Sequence, residues 1–304
     1  MKIILKEKKI PVILDTDIGT DLDDSWALGL LLKCPELDVK LITTTSQNTT
    51  IKAKIVAKFL ENADRTDIPI GIGPKVNNVK GPLFNWVKEY NLNDYPGEIY
   101  EDGVEIACQK IMESSRPLTL ICIGPLGNIA EAIKLKPEIM QNARFVGMQG
   151  SIRIGYEGSS QPDVEYNVVY NIKACREVFQ APWEKTITPL DTCGNIRLFG
   201  DNYQKIMDCD NEIIKNIKEH ITMWTKKIQL KHIITQEHSS SILYDTVATY
   251  LAFSEDLLNI ENLKIKVSEK GMTEIKESGS EIRCATSWKD IQKFKDLIVD
   301  RLVN

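Results

Sequence analysis

Short, β-branched apolar segments alternate with longer segments of helical spacing along most of this chain. The first pair is KIPVILDT and DSWALGLLLKC, and in the second segment Trp26, Leu28 and Leu31 suit a buried helix. Five more segments of the strand type follow: LDVKLITTT, IPIGIG, PLTLICIG, RFVGMQG and EKTITPLD. Strands that alternate with helices form a mostly parallel sheet covered on both faces. The sequence therefore predicts an α/β fold with an open, mostly parallel sheet flanked by helices, which is a Rossmann-like arrangement.

The remainder of the chain predicts the same domain rather than a second one. A helical stretch begins near residue 202, and the chain closes with a pattern typical of a hairpin followed by a helix. No internal repeat, low-complexity tract or change in composition marks a linker. A chain of 304 residues can bury one large core. We therefore predict a single domain over residues 1–304.

Composition excludes several classes of function. A net charge of −5 and the lack of a basic run argue against nucleic acid as a partner. The apolar runs near the N-terminus are too short and too interrupted for a signal peptide or a membrane span. The seven cysteines are scattered singly and form no CxxC pair, which predicts reduced, mostly buried thiols in a cytoplasmic protein.

Polar residues follow directly after each predicted strand. Asp15 and Asp17 end the first strand, residues 44–48 end the second, and Met148 and Gln149 end the fifth. In an open parallel sheet, ligands bind in the crevice beyond the carboxyl ends of the strands. These loops are therefore expected to surround one site.

The stretch VILDTDIGTDLDDSWAL carries the strongest chemical signal. Its five aspartates, Asp15, Asp17, Asp21, Asp23 and Asp24, fall within ten residues at a predicted junction of strand, turn and helix. Carboxylates this close repel one another unless a cation compensates them. Oxygen ligands without cysteine or histidine favour Ca²⁺ or Mg²⁺ over zinc. Such an ion could lower the pKa of a bound water and leave one aspartate to accept its proton.

Two other interpretations fit the same stretch less well. The aspartates could be helix caps and solvated surface charges, although five are many for that role. The motif DTD after a strand also resembles the nucleophile loop of haloacid-dehalogenase-like, Mg²⁺-dependent phosphatases, in which Asp15 would attack phosphate. Those loops usually continue with a hydroxyl or apolar residue and then Thr or Val, whereas Ile18 and Gly19 follow here.

The aspartate stretch resembles the N-terminal signature DxDxGxDDxxAL of the inosine-uridine nucleoside hydrolases. Further segments are similar to this family and occur in its order. They are LITTTSQNTT, CIGPLGNIAEAIKLKPEI, VGMQGS, VEYNVVYNIKACREVF and LYDTVATYLAF. The resemblance implies the nucleoside hydrolase fold and cleavage of the N-glycosidic bond of ribonucleosides, or of a related N-riboside, to free base and ribose. It also implies a small-molecule nucleoside as partner and a homodimer or homotetramer.

The same resemblance implies a role for particular residues. Asp17 would be a metal ligand and the general base that activates water. The other metal ligands would be Asp24, Asp245 and the main-chain carbonyl of Gly127, with Ca²⁺ expected rather than Mg²⁺. The ribose would be bound by Asp23, Asn48, Met148, Glu165 and Asn167. Asn48 could instead cap the helix that begins near Thr50.

The sequence departs from the family pattern at two places. The aspartate loop has two extra residues, so Asp21 could replace one of the aligned aspartates. Tyr244 stands where the family has a histidine near the nucleobase, and the family's His-Gly loop is absent. Tyr244 is therefore our candidate catalytic acid, with base stacking on an aromatic ring or a contribution from His238 as alternatives. Another ribosyl substrate, or a non-catalytic riboside-binding protein of the same fold, also stays open.

Overall fold

The computed structural model describes residues 9–228 and 239–304. The described residues form a ten-stranded sheet, with the strands β1 Ile10–Thr16, β2 Leu37–Thr44, β3 Ile70–Ile72, β4 Ile99–Tyr100, β5 Leu118–Cys122, β6 Ala143–Met148, β7 Lys185–Thr188, β8 Leu258–Val267, β9 Thr273–Ile275 and β10 Ser280–Trp288. The order across the sheet is β4-β3-β2-β1-β5-β6-β7-β10-β8-β9. The strands from β4 to β7, together with the β7–β10 pair, run parallel, and the β10–β8 and β8–β9 pairs run antiparallel.

Helices cover both faces of this sheet. They are α1 Asp23–Leu32, α2 Thr49–Asn62, α3 Gly103–Glu113, α4 Gly127–Leu135, α5 Ile139–Asn142, α6 Tyr166–Tyr170, α7 Ile172–Gln180, α8 Leu190–Cys193, α9 Gly200–Asp208, α10 Glu212–Ile228, α11 Thr246–Leu251 and α12 Ile291–Val303. Three short 3-10 helices, Pro82–Trp86, Leu92–Asp94 and Tyr156–Gly158, lie in the connections. The predicted α/β class with a mostly parallel sheet is confirmed.

All six predicted parallel strands are present, within one to three residues of the predicted ends. The two-residue strand β4 was not predicted, because it lies in an irregular stretch rich in Asn, Pro and aromatic residues. In place of the predicted C-terminal hairpin, the structure has a three-stranded antiparallel unit. In this unit β8 pairs with β10 on one side and with β9 on the other. The closing helix is α12, whose first turn is capped by Asp290.

The alternation of side chains along β1 builds a core on each face of the sheet. Val12 and Leu14 pack into one buried cluster with Trp26 of α1, whereas Ile13 packs into a second cluster with Leu120. Successive side chains of a strand point to opposite faces, so a buried central strand is apolar throughout. This packing fixes β1 at the centre of the sheet and presents its carboxyl end, Asp15 to Asp17, to the ligand crevice.

The cysteines are distributed as their spacing predicts. All seven are free, and all except Cys209 are buried. Within the described ranges, none of the helices combines the length and apolarity that crossing a bilayer requires.

One histidine has a structural role between α1 and α10. His220 is buried, and its Nδ1 lies 2.8 Å from Ser25 Oγ. His232 and His238 lie outside the described residues.

Candidate active site

The aspartate loop, residues 17–22, joins β1 to α1 and carries the two extra residues. Gly19 lies in the left-handed region with a φ of 92°, and a Cβ there would approach Ile55 Cδ1 to 2.6 Å. Glycine is therefore required at this turn. Asp23 and Asp24 begin α1, where negative charge is favoured by the helix dipole. Thr16 at the end of β1 donates a 2.5 Å hydrogen bond to Asp24 and fixes its carboxylate.

Three buried carboxylates form a group that could hold a metal ion. Oxygens of Asp23, Asp24 and Asp245 lie within 4.8 Å of one another. Asp245 reaches the group from the N-terminus of α11, although it follows Asp24 by 221 residues in the sequence. Burial first, and then repulsion from neighbouring carboxylates, raises the pKa of all three well above the ordinary range. An all-oxygen, negatively charged set of this kind fits Ca²⁺ or Mg²⁺, whose charge would remove the repulsion.

A cavity of about 280 Å³ opens beside these carboxylates. It is lined by Asp17, Thr20, Asp21, Asp23, Asp24, Ile123, Met148, Tyr156, Glu165, Tyr166, Asn167, Tyr244 and Asp245. This set includes eight of the ten residues to which the sequence analysis gave a role. It brings the ends of β1, β5 and β6 together with the starts of α1, α6 and α11. Of the residues that follow the strands, Asp17, Ile123 and Met148 line this cavity, whereas residues 44–48 and Gln149 do not.

Glu165 and Asn167 are held rigidly at the start of α6. Both oxygens of Glu165 accept backbone N–H bonds, from Asn167 at 2.7 Å, Gly150 at 2.9 Å and Val168 at 3.2 Å. Burial nevertheless raises the pKa of Glu165 to about 7. The Asn167 side-chain nitrogen donates to the main-chain oxygens of Met148 and Ile123, at 3.1 and 3.3 Å. These bonds fix both side chains before any ligand binds.

Asp15 lies beneath the cavity rather than in its lining. It is fully buried, and its Oδ1 accepts hydrogen bonds from Thr43 at 2.6 Å and Asn128 at 2.7 Å. Burial raises the pKa of Asp15 to about 7. A nucleophile that attacks phosphate must reach its substrate, so this placement does not fit the phosphatase interpretation. Asp15 instead ties the ends of β1 and β2 to α4 and supports the loop above it.

Two predicted residues lie outside the cavity lining. The Asn48 side chain accepts a 3.3 Å hydrogen bond from the Ile51 N–H and so caps α2, which is the alternative role that its position allowed. Gly127 begins α4 and lines a neighbouring cavity with Thr45 and Asn171. Its carbonyl as a metal ligand stays a prediction. Conversely, Asp23 was expected to bind ribose, and the structure groups it with Asp24 and Asp245.

The aromatic part of the cavity was only partly foreseen. Tyr244 meets Tyr156 edge-to-face with ring centroids 6.2 Å apart, and the Tyr156 hydroxyl accepts a 2.9 Å bond from the Tyr166 N–H. Tyr166 could have been found, since it stands between Glu165 and Asn167 in the motif. Tyr156 lies in an irregular loop with no pattern of its own. Tyr156, Tyr166 and Tyr244 thus add aromatic surface to a cavity whose other side chains are mostly carboxylates.

Buried carboxylates and a cavity at the carboxyl edge of a parallel sheet are the arrangement with which open α/β proteins bind small ligands. The model of the inosine-uridine preferring nucleoside hydrolase family matches residues 12–296, and the chain belongs to this family. The resemblance seen in the sequence motifs is thereby confirmed.

Relatives and solved structures agree with this assignment. The pyrimidine-specific ribonucleoside hydrolase RihA of Escherichia coli O1:K1 is 28% identical over 228 residues, which cover 69% of this chain and 70% of that protein. A plant nucleoside hydrolase superposes with a TM-score of 0.81 at 19% identity, over 97% of this chain and 99% of the other. A purine-preferring ribonucleoside hydrolase from Gardnerella vaginalis gives a TM-score of 0.78 at 18% identity, with coverages of 96% and 98%.

Proposed function

We propose that this protein hydrolyses the N-glycosidic bond of ribonucleosides, or of a closely related N-riboside, to free base and ribose. The observation that carries the proposal is the gathering of Asp23, Asp24 and Asp245 beside Glu165 and Asn167 in one cavity, in a chain of the nucleoside hydrolase family. Ribose presents neighbouring hydroxyls, and this cavity offers carboxylate and amide groups to bind them.

The charge of the cavity suits the transition state of this reaction. Cleavage of an N-glycosidic bond develops positive, oxocarbenium-like charge on the ribose ring. Asp23 and Glu165, held at the starts of α1 and α6, would stabilise that charge without moving. Asp17 would act as general base and accept a proton from the attacking water. Its pKa is raised by burial, which brings a carboxylate closer to the value that suits a base at neutral pH.

A divalent cation is part of the proposal, with Ca²⁺ preferred over Mg²⁺. Asp24 and Asp245 would hold it with Asp17 and the Gly127 carbonyl, and Asp23 is close enough to contribute an oxygen. When bound, the ion would compensate the carboxylate charge, bind the ribose hydroxyls and lower the pKa of a bound water. Asp15 and Thr16 would hold the ligands in place from below.

Release of reducing sugar from a panel of nucleosides, measured with calcium and with a chelator, tests the function. We expect ribose release that calcium supports and the chelator abolishes. Turnover of phosphate esters without ribose release would instead indicate a phosphatase, and tight nucleoside binding without turnover would indicate a riboside-binding protein. The panel must hold purine and pyrimidine nucleosides, because one relative is named pyrimidine-specific and another purine-preferring.

Tyr244→Phe is expected to lower kcat about 10²-fold while KM for the nucleoside changes little. Burial, and then nearby groups that include Asp23, raise the pKa of Tyr244 above its ordinary range, so its hydroxyl stays protonated. It could therefore donate a hydrogen bond to the departing base, a role that the resemblance implies for one of the family's histidines near the nucleobase. Steady-state kinetics with a nucleoside of poor leaving-group ability give the largest expected difference.

Tyr250→Phe is the matched control for this variant. Tyr250 lies on α11, six residues after Tyr244, is buried, and bonds Ser254 rather than lining the cavity. Its loss should leave kcat unchanged. An unchanged kcat in Tyr244→Phe as well would show that Tyr244 only packs.

The proposal also includes a cellular location and an oligomeric state. Seven free cysteines favour a reducing compartment, and we propose a cytoplasmic location. A homodimer or homotetramer is proposed from the family resemblance. Sedimentation of the purified chain would test the oligomeric state directly.

A further inference from the structure

A buried lysine lies beneath the aspartate loop. Lys52 belongs to the first turn of α2 and is only 4% exposed. Its Nζ donates to the main-chain oxygen of Asp17, to that of Ile18 at 3.3 Å, and to Oγ1 of Thr20 at 2.7 Å. Lysine is seldom buried without a charged partner. Neither the strand pattern nor the motifs gave it a role.

The hydrogen bonds of Lys52 fit an ammonium group better than a neutral amine. The Thr20 hydroxyl uses its one proton to donate to the Asp17 main-chain oxygen at 2.9 Å, so it can only accept from Lys52. Lys52 therefore faces three acceptors. An ammonium group has three N–H donors, whereas a neutral amine has two and would turn a lone pair toward the third acceptor.

The position of this charge is unfavourable unless the aspartates compensate it. A cation in the first turn of a helix opposes the helix dipole, and burial removes it from water. Burial lowers the pKa of Lys52, while the carboxylates of Asp17 and Asp24 act in the opposite direction. Among the described residues that line the cavity, none is a lysine or an arginine. Lys52 is thus a positive charge beneath the aspartate loop that interacts electrostatically with the carboxylates of Asp17 and Asp24.

We propose that Lys52 is a positioning residue, an internal counterion that holds the extended aspartate loop in its binding geometry before a metal ion arrives. It lines no part of the cavity and acts through the backbone of Asp17 and Ile18 and through Thr20. The benefit to catalysis rests on the proposed function, since the loop carries the proposed general base. The compensation of carboxylate charge does not depend on that function.

A double-mutant cycle in chelator tests the compensation. Lys52→Met keeps the length of the side chain and removes its charge, and Asp24→Asn removes one carboxylate with little change in shape. We expect Lys52→Met to lower the Tm by several degrees and Asp24→Asn to restore most of that loss. Additive effects of the two changes would overturn the proposal.

Lys185→Met is the matched control for this cycle. Lys185 is also buried, at 6% exposure, and donates to the main-chain oxygens of Ala181 and Trp183 at 2.6 and 3.2 Å, away from the aspartates. Its loss should cost stability by removing the same kind of bond. Asp24→Asn should not restore the stability of Lys185→Met, because Lys185 does not compensate the charge of the aspartates.

A second measurement is the increase in Tm on adding calcium. A loop without its internal counterion should depend more on the ion, so we expect a larger calcium-induced increase in Lys52→Met than in wild type or Lys185→Met. Equal increases in all three would count against the proposal. If calcium does not shift the wild-type Tm, the metal part of the proposed function fails, and the cycle in chelator still decides the role of Lys52.

Lys52→Gln is a second variant for the case in which Lys52→Met does not fold. Glutamine keeps an amide donor beneath the loop but has no charge, so the same rescue by Asp24→Asn is expected. If neither Lys52 variant folds, even with Asp24→Asn, then Lys52 is a general packing residue and the proposal is wrong.

Discussion

Asp17→Asn is expected to abolish ribose release, with kcat lowered about 10³-fold or more. Asp17 lines the cavity beside the three-carboxylate group, and its Oδ2 lies 3.4 Å from the Ser46 hydroxyl. An amide cannot accept the proton of the attacking water, although its shape and its hydrogen bond to Ser46 are preserved. The measurement is release of reducing sugar at saturating nucleoside and calcium. Nucleoside affinity, measured by calorimetry, should fall much less than kcat.

Asp21→Asn is the informative comparison, because the two extra residues of the loop left its role open. Asp21 lines the same cavity and, like Asp17, lies outside the group formed by Asp23, Asp24 and Asp245, but its Oδ1 accepts a 2.6 Å bond from the Leu22 N–H. We expect a loss of less than about tenfold in kcat, since general acid–base catalysis contributes more than that. If Asp21→Asn were as damaging as Asp17→Asn, the alignment of the loop would be wrong by one carboxylate.

The location of the site could be predicted because it depends on topology, whereas most of its residues were predicted from the family resemblance. Once β1, β5 and β6 are parallel neighbours, residues at their carboxyl ends must meet, and Asp17, Ile123 and Met148 do so in one cavity. Strand assignments needed only apolar runs and the polar residues that end them. Asp245 was predicted to lie at this edge only from the family resemblance, because no local pattern connects it with Asp24.

What could not be predicted depends on side-chain contacts that leave no periodic pattern. Lys52 looks like a solvent-facing residue of an amphipathic helix, and only the path of the aspartate loop turns it inward. Tyr156 lies in a loop whose direction is set by its bond to Asp163. Asn48 shows the opposite case: its residue type fits both ribose binding and helix capping, and the structure shows the cap.

Removing calcium is expected to make the stability of the folded protein fall as the pH rises from about 4 to 7. The pKa of Asp15 is raised to about 7 by burial, and those of Asp23, Asp24 and Asp245 are raised well above the ordinary range. These groups bind protons more tightly in the folded state than in the unfolded state. Their contribution to the free energy of unfolding is therefore complete below pH 4 and is lost as the pH rises through the folded pKa values. Asp15 alone, shifted from 3.8 to about 7, accounts for about 4 kcal/mol.

Calcium should reverse this trend, because an ion binds the ionised carboxylates and competes with protons for them. The increase in Tm caused by saturating calcium should then be small near pH 4 and large near pH 8, and thermal unfolding with calcium or with chelator across this range measures it. Asp245→Ala, which removes one member of the carboxylate group, should lose most of the calcium-induced increase together with activity. A calcium effect that is the same at both ends of the pH range, or that survives in Asp245→Ala, would mean that the ion binds elsewhere.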